Sequence, residues 1–116
     1  MQRPVERHLK TATVKEFRYD LLWNLPDGIG ERFDNSIHFS NDDAEDIVDA
    51  ILDEMDRQKS PHGRTVFDVK IKGIIPAGIV GIMTYILMMC DDVRSFTILH
   101  PRGASCVIFP REYKRV

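Results

Sequence analysis

Histidine and cysteine are the side chains best suited to metal binding or acid–base chemistry, so their spacing in this sequence is informative. The four histidines are His8, His38, His62 and His100. No two are four residues apart, and none has a carboxylate at the spacing of a known motif, so they predict neither a metal site nor an acid–base pair. His100, which ends a predicted strand beside a turn, is kept as a candidate ligand-binding residue.

The two cysteines, Cys90 and Cys106, have apolar neighbours and no histidine at a readable spacing. Such thiols are typical of buried structural positions rather than of activated nucleophiles. Two cysteines are too few for a secreted disulfide framework, which predicts a reducing, cytoplasmic setting. The start of the chain is charged and is not a secretory signal. We therefore expect no catalytic residue, no metal and no cofactor, and favour a non-enzymatic role.

An anion site at a junction between a strand and a helix is the most suggestive chemistry in the sequence. Lys70 and Lys72 end a predicted strand, and a glycine turn then leads into a helix whose first N–H groups could bind a phosphate or a carboxylate. The candidate ligand-binding residues are Lys70, Lys72, Gly73, Gly78, His100 and Arg102. The aromatic residues available for stacking are on the core-facing side of a strand, so binding of nucleic acid is not supported, whereas a small nucleotide is compatible with this site.

The elements that must position these residues fit one small domain. The chain has 116 residues, 43% of them hydrophobic and 29% charged, with a net charge of −2. This balance predicts a single core and gives no sign of charge-driven binding to nucleic acid or membranes. We divide residues 1–116 into an N-terminal arm at 1–12, the body of the domain, and a basic C-terminal tail at 110–116.

Negative charge is concentrated in one segment of the chain. Between Ser40 and Ser60, eight acidic side chains oppose two basic ones, which gives this segment a charge of −6 and the rest of the chain +4. Apolar residues recur there at spacings of three and one, which predicts a helix over 41–59 packed on a core. Its outer face is either simply solvated or a docking surface for a basic protein partner. The candidate partner-binding residues are Asp42, Asp46, Asp49, Asp53 and Asp56.

The remaining patterns predict the strands and a second helix. The predicted strands, read from alternating apolar and polar residues, are 13–24 and 31–39 as a hairpin, a strand containing Phe67, Val69 and Ile71, and 94–100 and 104–109. Pro76 suits the first position of a helix over 76–90. The order ββαβαββ predicts an α/β fold, a two-layer sandwich with a mixed sheet of about five strands and both helices on one face.

Residues 73–90 contain no charged side chain, a length at which a membrane span must be considered. The helical part, 76–90, would extend only about 22 Å, short of the ~30 Å hydrocarbon core, so we expect no span. A helix that is apolar on nearly all sides needs a cover on its outer side. The N-terminal arm and a second copy of the chain are the two candidates, and we expect a homodimer through residues 76–90.

Two segments in the middle of the chain carry a resemblance to a known family. An acidic helix is followed by TVFDVKIKG at 65–73 and by PAGIVGIM at 76–83. Over 36–100 this arrangement resembles the STAS domains of anti-sigma factor antagonists and related STAS-like proteins. The resemblance implies a non-enzymatic regulatory domain that binds a partner. Pro76 stands where that family typically carries a phosphorylatable serine, and so departs from its phosphorylation switch.

The C-terminal half carries a second resemblance. The glycine turn before the apolar helix and the later segment His100-Pro101-Arg102-Gly103-Ala104 are similar to CRISPR-associated ring nucleases, which bind cyclic oligoadenylate. This resemblance implies, as an alternative function, a protein of antiviral defence that binds or hydrolyses a nucleotide or cyclic oligonucleotide. The metal-linked histidines which that family has in and near the second helix are missing from this helix.

Overall fold

The computed structural model describes residues 10–21, 41–73, 75–100 and 102–115. Within these residues, five strands form one sheet and two helices pack on it. The elements are β1 (Thr11–Asp20), α1 (Asn41–Gln58), β2 (Arg64–Lys72), α2 (Ala77–Met88), β3 (Val93–His100), β4 (Gly103–Ile108) and β5 (Lys114–Arg115). The predicted strand at 31–39, and with it the predicted hairpin, lies outside the described residues.

The sheet is mixed, with the strand order β4-β3-β2-β1-β5. β1 is parallel to both β2 and β5, β2 is parallel to β3, and β4 is antiparallel to β3. α1 precedes β2 and α2 joins β2 to β3, so the chain steps twice in the same direction across the sheet. Parallel strands need such crossovers, and two crossovers of equal hand put both helices on one face. The predicted two-layer α/β fold is confirmed.

α1 forms where the apolar spacing predicted it, at Asn41–Gln58 against the expected 41–59. Its apolar stripe faces the sheet and is buried: Ala44, Ile47, Val48, Ile51 and Met55. Asp42 and Asp43 occupy the first turn and Arg57 the last, which is the favourable arrangement of charges on the helix dipole. Burial of the stripe and these end charges therefore hold the helix together.

α2 spans Ala77–Met88, against the predicted 76–90, and Pro76 is its N-cap, with a ψ of 143°, and not its first helical residue. α2 buries Ile79, Met83 and Leu87 against the sheet. The outward side carries no charge, and three large side chains on it or just after it are exposed: Tyr85 (62%), Met88 (41%) and Met89 (67%). No helix among the described residues is long and apolar enough to cross a membrane.

The core lies between the helices and one face of the sheet. Phe17 of β1 and Phe67 of β2 are fully buried with their rings edge to face, 6.1 Å apart between centres. The alternate residues of the same strands point to the other face, where Asp68, Lys70 and Lys72 are only partly buried or exposed. The sheet therefore has one helix-covered face and one helix-free face, and the helix-free face is polar along the second half of β2.

Candidate interaction surfaces

The exposed side of α1 carries an acidic stripe, by which we mean Asp42, Glu45, Asp46, Asp49, Asp53 and Asp56. All six side chains are exposed. Each of them lies three or four residues from at least one other member, which places all six along one side of the helix. From the first to the last, fourteen residues rise by about 21 Å. The structure thus brings the five predicted partner-binding aspartates together on one line, with Glu45 added to them.

The bases in the part of the chain that the structure describes leave most of the charge of the acidic stripe uncompensated. Asp56 forms an ion pair with Lys59, whose Nζ lies 2.8 Å from Asp56 Oδ1. None of the other five carboxylates forms an ion pair with a residue that the structure describes. Glu54 and Arg57 form a pair beside the stripe. The hydrogen bond that Arg57 donates to Glu54 lowers the pKa of Glu54. The first three turns of the stripe therefore present negative charge to solvent.

The predicted anion site is divided between the two faces of the sheet. Lys70 and Lys72 are two and four residues after Asp68 in β2. Their side chains therefore lie on the same, helix-free face of the sheet. Lys70 Nζ is 3.5 Å from Glu16 Oε2, so its charge is partly balanced. Gly78 belongs to the first turn of α2, on the helix-covered face. The two lysines and the helix N-terminus therefore do not converge on one point.

Four of the predicted ligand-binding residues lie at or just beyond the carboxyl ends of β2 and β3. Lys72 is paired with Leu99, the residue before His100. The N–H of Gly73 donates to the carbonyl of Leu99 at 3.2 Å. Arg102 follows in the turn to β4, and the side chains of Lys72, His100 and Arg102 are all exposed. These residues gather at the carboxyl ends of two parallel strands, where Lys72 is on the helix-free face and His100, two residues after Ile98, has the parity of the helix-covered face.

Gly73 has a packing reason of its own for being glycine. A Cβ at this position would lie 3.0 Å from Leu21 Cβ, which is closer than side chains normally approach. Leu21 is fully buried in the core. This glycine is therefore explained by close packing, without a ligand.

A polar cluster on the helix-free face was missed by the sequence analysis. Asp68 accepts hydrogen bonds from Arg94 Nε at 2.9 Å and Ser95 Oγ at 2.6 Å, and it also contacts Arg94 Nη2. The β2–β3 register shifts after Phe67, which makes room for both donors beside one carboxylate. The cluster borders a groove of about 650 Å³ lined by Asp68, Lys70, Arg94, Ser95, Thr97, Leu99, Ala104, Cys106 and Ile108.

Asp68 and Arg94 have the ionisation states of a structural ion pair. Burial by itself raises the pKa of Asp68, but the hydrogen bonds from Arg94 and Ser95 outweigh it and hold the pKa below its usual value. The same contact raises the pKa of Arg94. Both groups are therefore charged at neutral pH, and neither is poised to transfer a proton.

The two cysteines differ from each other. Cys90 is half-buried against the core, and burial raises the pKa of its thiol, which is protonated at neutral pH. The prediction that Cys106 is buried is wrong, because it lies on β4 at the margin of the sheet and its side chain is exposed. Both are free thiols.

Metal-ligand geometry and similarity to known proteins add nothing further to these surfaces. Over 10–21, 41–73, 75–100 and 102–115, no group of three or more histidine, cysteine, aspartate or glutamate side chains is arranged to hold a metal ion. No protein-family model, no curated protein and no solved structure matches the chain.

Proposed function

We propose that this protein is a non-enzymatic, partner-binding regulatory domain of the cytoplasm, as its resemblance to STAS-like domains suggests. The observation that carries the proposal is the acidic stripe, a row of six exposed carboxylates on a helix whose other side is buried in the core. The partner is a protein with a basic surface. Two free cysteines fit a reducing compartment.

The physical basis of partner binding is a field of one sign held on a rigid element. Burial of residues such as Ile47 and Ile51 fixes the rotation of α1, so the carboxylates cannot turn away from an approaching partner. A single-sign surface of this kind raises the rate of association with an oppositely charged one and is weakened by salt. We therefore expect binding that is fast at low ionic strength and strongly salt-dependent.

The first prediction compares equal changes of net charge on and off the acidic stripe. The stripe variant is Asp46→Asn/Asp49→Asn/Asp53→Asn, and the control variant is Glu16→Gln/Asp91→Asn/Glu112→Gln, which also removes three exposed acids. The probe is an immobilised helical peptide whose lysines are spaced alternately three and four residues apart, so that they lie along one side of the helix. At about 20 mM salt we expect the stripe variant to bind at least about tenfold more weakly, since three exposed charge pairs are each worth about 0.5 kcal/mol.

The control variant should bind the lysine peptide within about threefold of the wild type at the same salt. Equal weakening of both variants would mean that the peptide responds to net charge alone, and would contradict a role for the stripe. Surface plasmon resonance at two ionic strengths measures both the affinity and its salt dependence.

Self-association is the second part of the proposal. The homodimer predicted through residues 76–90 has its support in the outward side of α2, where Tyr85, Met88 and Met89 are exposed and no charge is present. Exposed apolar patches with polar surroundings commonly mark protein interfaces. A second copy of the chain is the partner proposed for this side.

A nucleotide or cyclic oligonucleotide ligand is the second candidate function. It is supported by the placement of Lys72, His100 and Arg102 at the carboxyl ends of β2 and β3, the edge where parallel sheets commonly bind ligands. Two cations and an imidazole suit phosphate groups.

A thermal shift assay with a panel of mononucleotides and cyclic oligoadenylates separates the two functions. If nucleotide binding is the function, one ligand should raise the melting temperature by several degrees, and Lys72→Ala should abolish the rise while the stripe variant keeps it. On our preferred proposal, no member of the panel shifts the melting temperature of the wild type.

A further inference from the structure

In the part of the chain that the structure describes, β4 is an edge strand without the features that usually protect an edge. It lies at the end of the strand order, and among the described residues it pairs with β3 alone. Its six residues are GASCVI, with no charge and no proline, and all six are exposed. Natural edge strands are normally blocked by lysine, proline, a bulge or a covering element. β4 therefore presents a strand edge that is free to accept another strand.

The hydrogen-bond ladder fixes which groups of β4 face outward. Phe109 N–H donates to the carbonyl of Arg94 at 2.8 Å, which continues the β3–β4 ladder beyond the end of β4. In an antiparallel pair, the residues that bond to the neighbouring strand alternate along the chain. The odd-numbered residues of β4 therefore bond to β3. The residues whose N–H and C=O groups point away from β3 are Ala104, Cys106 and Ile108.

We infer that β4 pairs antiparallel with β4 of a second copy, about a two-fold axis that passes beside Cys106. This inference rests on the self-association proposed above, but it places a contact between the two copies at β4, a different element from the α2 surface named there. Centring the pair on Cys106 lets all three outward-facing residues of each strand take part, whereas a shift by two residues in either direction loses bonded pairs. Cys106 then faces Cys106 of the second copy, at a Cα separation of about 5.5 Å.

The side chains of β4 complement themselves in this register. Ile108, which is 75% exposed, lies opposite Ala104 of the second copy, so a large side chain meets a small one at both ends. On the other face, Val107 lies opposite Ser105 of the second copy. No cross-strand pair contains a charge, so pairing brings no like charges together. The residue types along β4 are therefore compatible with pairing to a second copy.

The strongly charged part of the molecule is kept away from this contact. The acidic stripe is on α1, which lies beside β1, where Lys15 Nζ donates to the carbonyl of Gln58. β4 lies beyond β3 at the opposite margin of the sheet. Two-fold pairing at β4 therefore leaves the stripes of both copies on the outer ends of a continuous sheet. Self-association and binding of a basic partner are compatible with each other.

The test uses charges placed at Cys106, whose exposed side chain can be replaced without disturbing the core. The variants are Cys106→Lys, Cys106→Glu and, as the neutral control, Cys106→Ser. Sedimentation equilibrium at concentrations up to 200 μM should show the wild type and Cys106→Ser as dimers of twice 13.4 kDa. Cys106→Lys and Cys106→Glu should each raise the dimer dissociation constant at least about tenfold, because like charges then face each other across the axis.

Mixing the two charged variants gives the decisive result. Lysine and glutamate face each other in the mixed dimer, so an equimolar mixture should recover dimers that neither variant forms alone. Circular dichroism confirms that each variant is folded. Failure of the mixture to recover the dimer would overturn the two-fold register at Cys106.

A Tyr85→Lys variant separates this inference from the proposal on which it rests. If Tyr85→Lys dissociates the dimer while Cys106→Lys leaves it intact, pairing at β4 is overturned and self-association through α2 is supported. If the wild type stays monomeric at 200 μM, both the β4 contact and self-association are overturned. Binding of the lysine peptide to the acidic stripe is measured independently and does not depend on either outcome.

Discussion

Replacing Arg111 by alanine is expected to lower the free energy of unfolding by about 3 kcal/mol. Its guanidinium donates from Nε to the carbonyl of Val93 at 2.7 Å and from Nη2 to the carbonyls of Met88 and Cys90 at 2.7 and 2.8 Å. The last carbonyls of a helix have no partner within the helix and carry its negative dipole end. Arg111 therefore caps α2 with both hydrogen bonds and charge, and it also stacks on Phe109 at 5.4 Å.

Chemical denaturation followed by circular dichroism measures this effect. Arg111→Lys should recover part of the loss, because an ammonium group keeps the charge but cannot donate as a planar fork to carbonyls on both sides. Arg102→Ala is the matched control, since that arginine is exposed in a turn and should change stability by less than about 0.5 kcal/mol. A loss below about 1 kcal/mol for Arg111→Ala would show that other groups cap α2.

Local patterns in the sequence account for the two helices. The apolar spacing of α1 predicted both its ends and its buried stripe, because burial on a 3.6-residue period leaves a direct trace in the order of residues. Pro76 and the absence of charge predicted α2, and the exposed Tyr85 and Met89 bear out the expectation that its outer side is uncharged and apolar. The acidic stripe could be predicted for the same reason, since helix period alone places its members along one side of the helix.

Contacts between distant parts of the chain could not be predicted in the same way. Asp68 and Arg94 are 26 residues apart and meet because of an irregularity in strand register. No local residue pattern predicts such an irregularity. The cap supplied by Arg111 depends on the path of the chain after β4, and the segment treated as a basic tail returns to the sheet as β5. The exposure of Cys106 depends on β4 being an edge strand, and strand order is not written in the local sequence. These features follow from tertiary packing.

The anion site shows why spacing is a weaker guide to sites than to helices. Lys70 and Lys72 were correctly expected to end a strand before a glycine turn. The turn into α2 passes from the sheet to the helix layer, whereas strand parity directs both lysines to the other face. Gly78 and Lys72 are therefore close in sequence and near the same end of the strands, but they lie on different faces and do not share a binding site.

Replacing Asp68 by asparagine is expected to lower the free energy of unfolding by about 2 kcal/mol at pH 7. The carboxylate, whose side chain is 20% exposed, accepts hydrogen bonds from both Arg94 and Ser95. Asparagine keeps the shape but carries no charge, and its amide group would face a donor. Arg94 is then left partly buried without its counter-ion.

The effect of Asp68→Asn should depend on pH in a defined direction. Because the pKa of Asp68 is lowered in the folded protein by Arg94 and Ser95 against the effect of burial, its stabilising contribution is present above the pKa of an unfolded aspartate, about 3.9. It is lost as the pH falls through the lower pKa of the folded state. Urea unfolding should therefore show a constant difference between wild type and variant from pH 7 to 5, which narrows below pH 4.

Asp91→Asn is the control for this pH dependence, because Asp91 is exposed and its side chain forms no ion pair with a described residue. Its stability difference from the wild type should be small and flat over the same pH range. A difference for Asp68→Asn that stays constant down to pH 3 would mean that the contacts of Asp68 do not depend on its charge. That result would contradict the proposed stabilisation of the β2–β3 pair by the charge of Asp68.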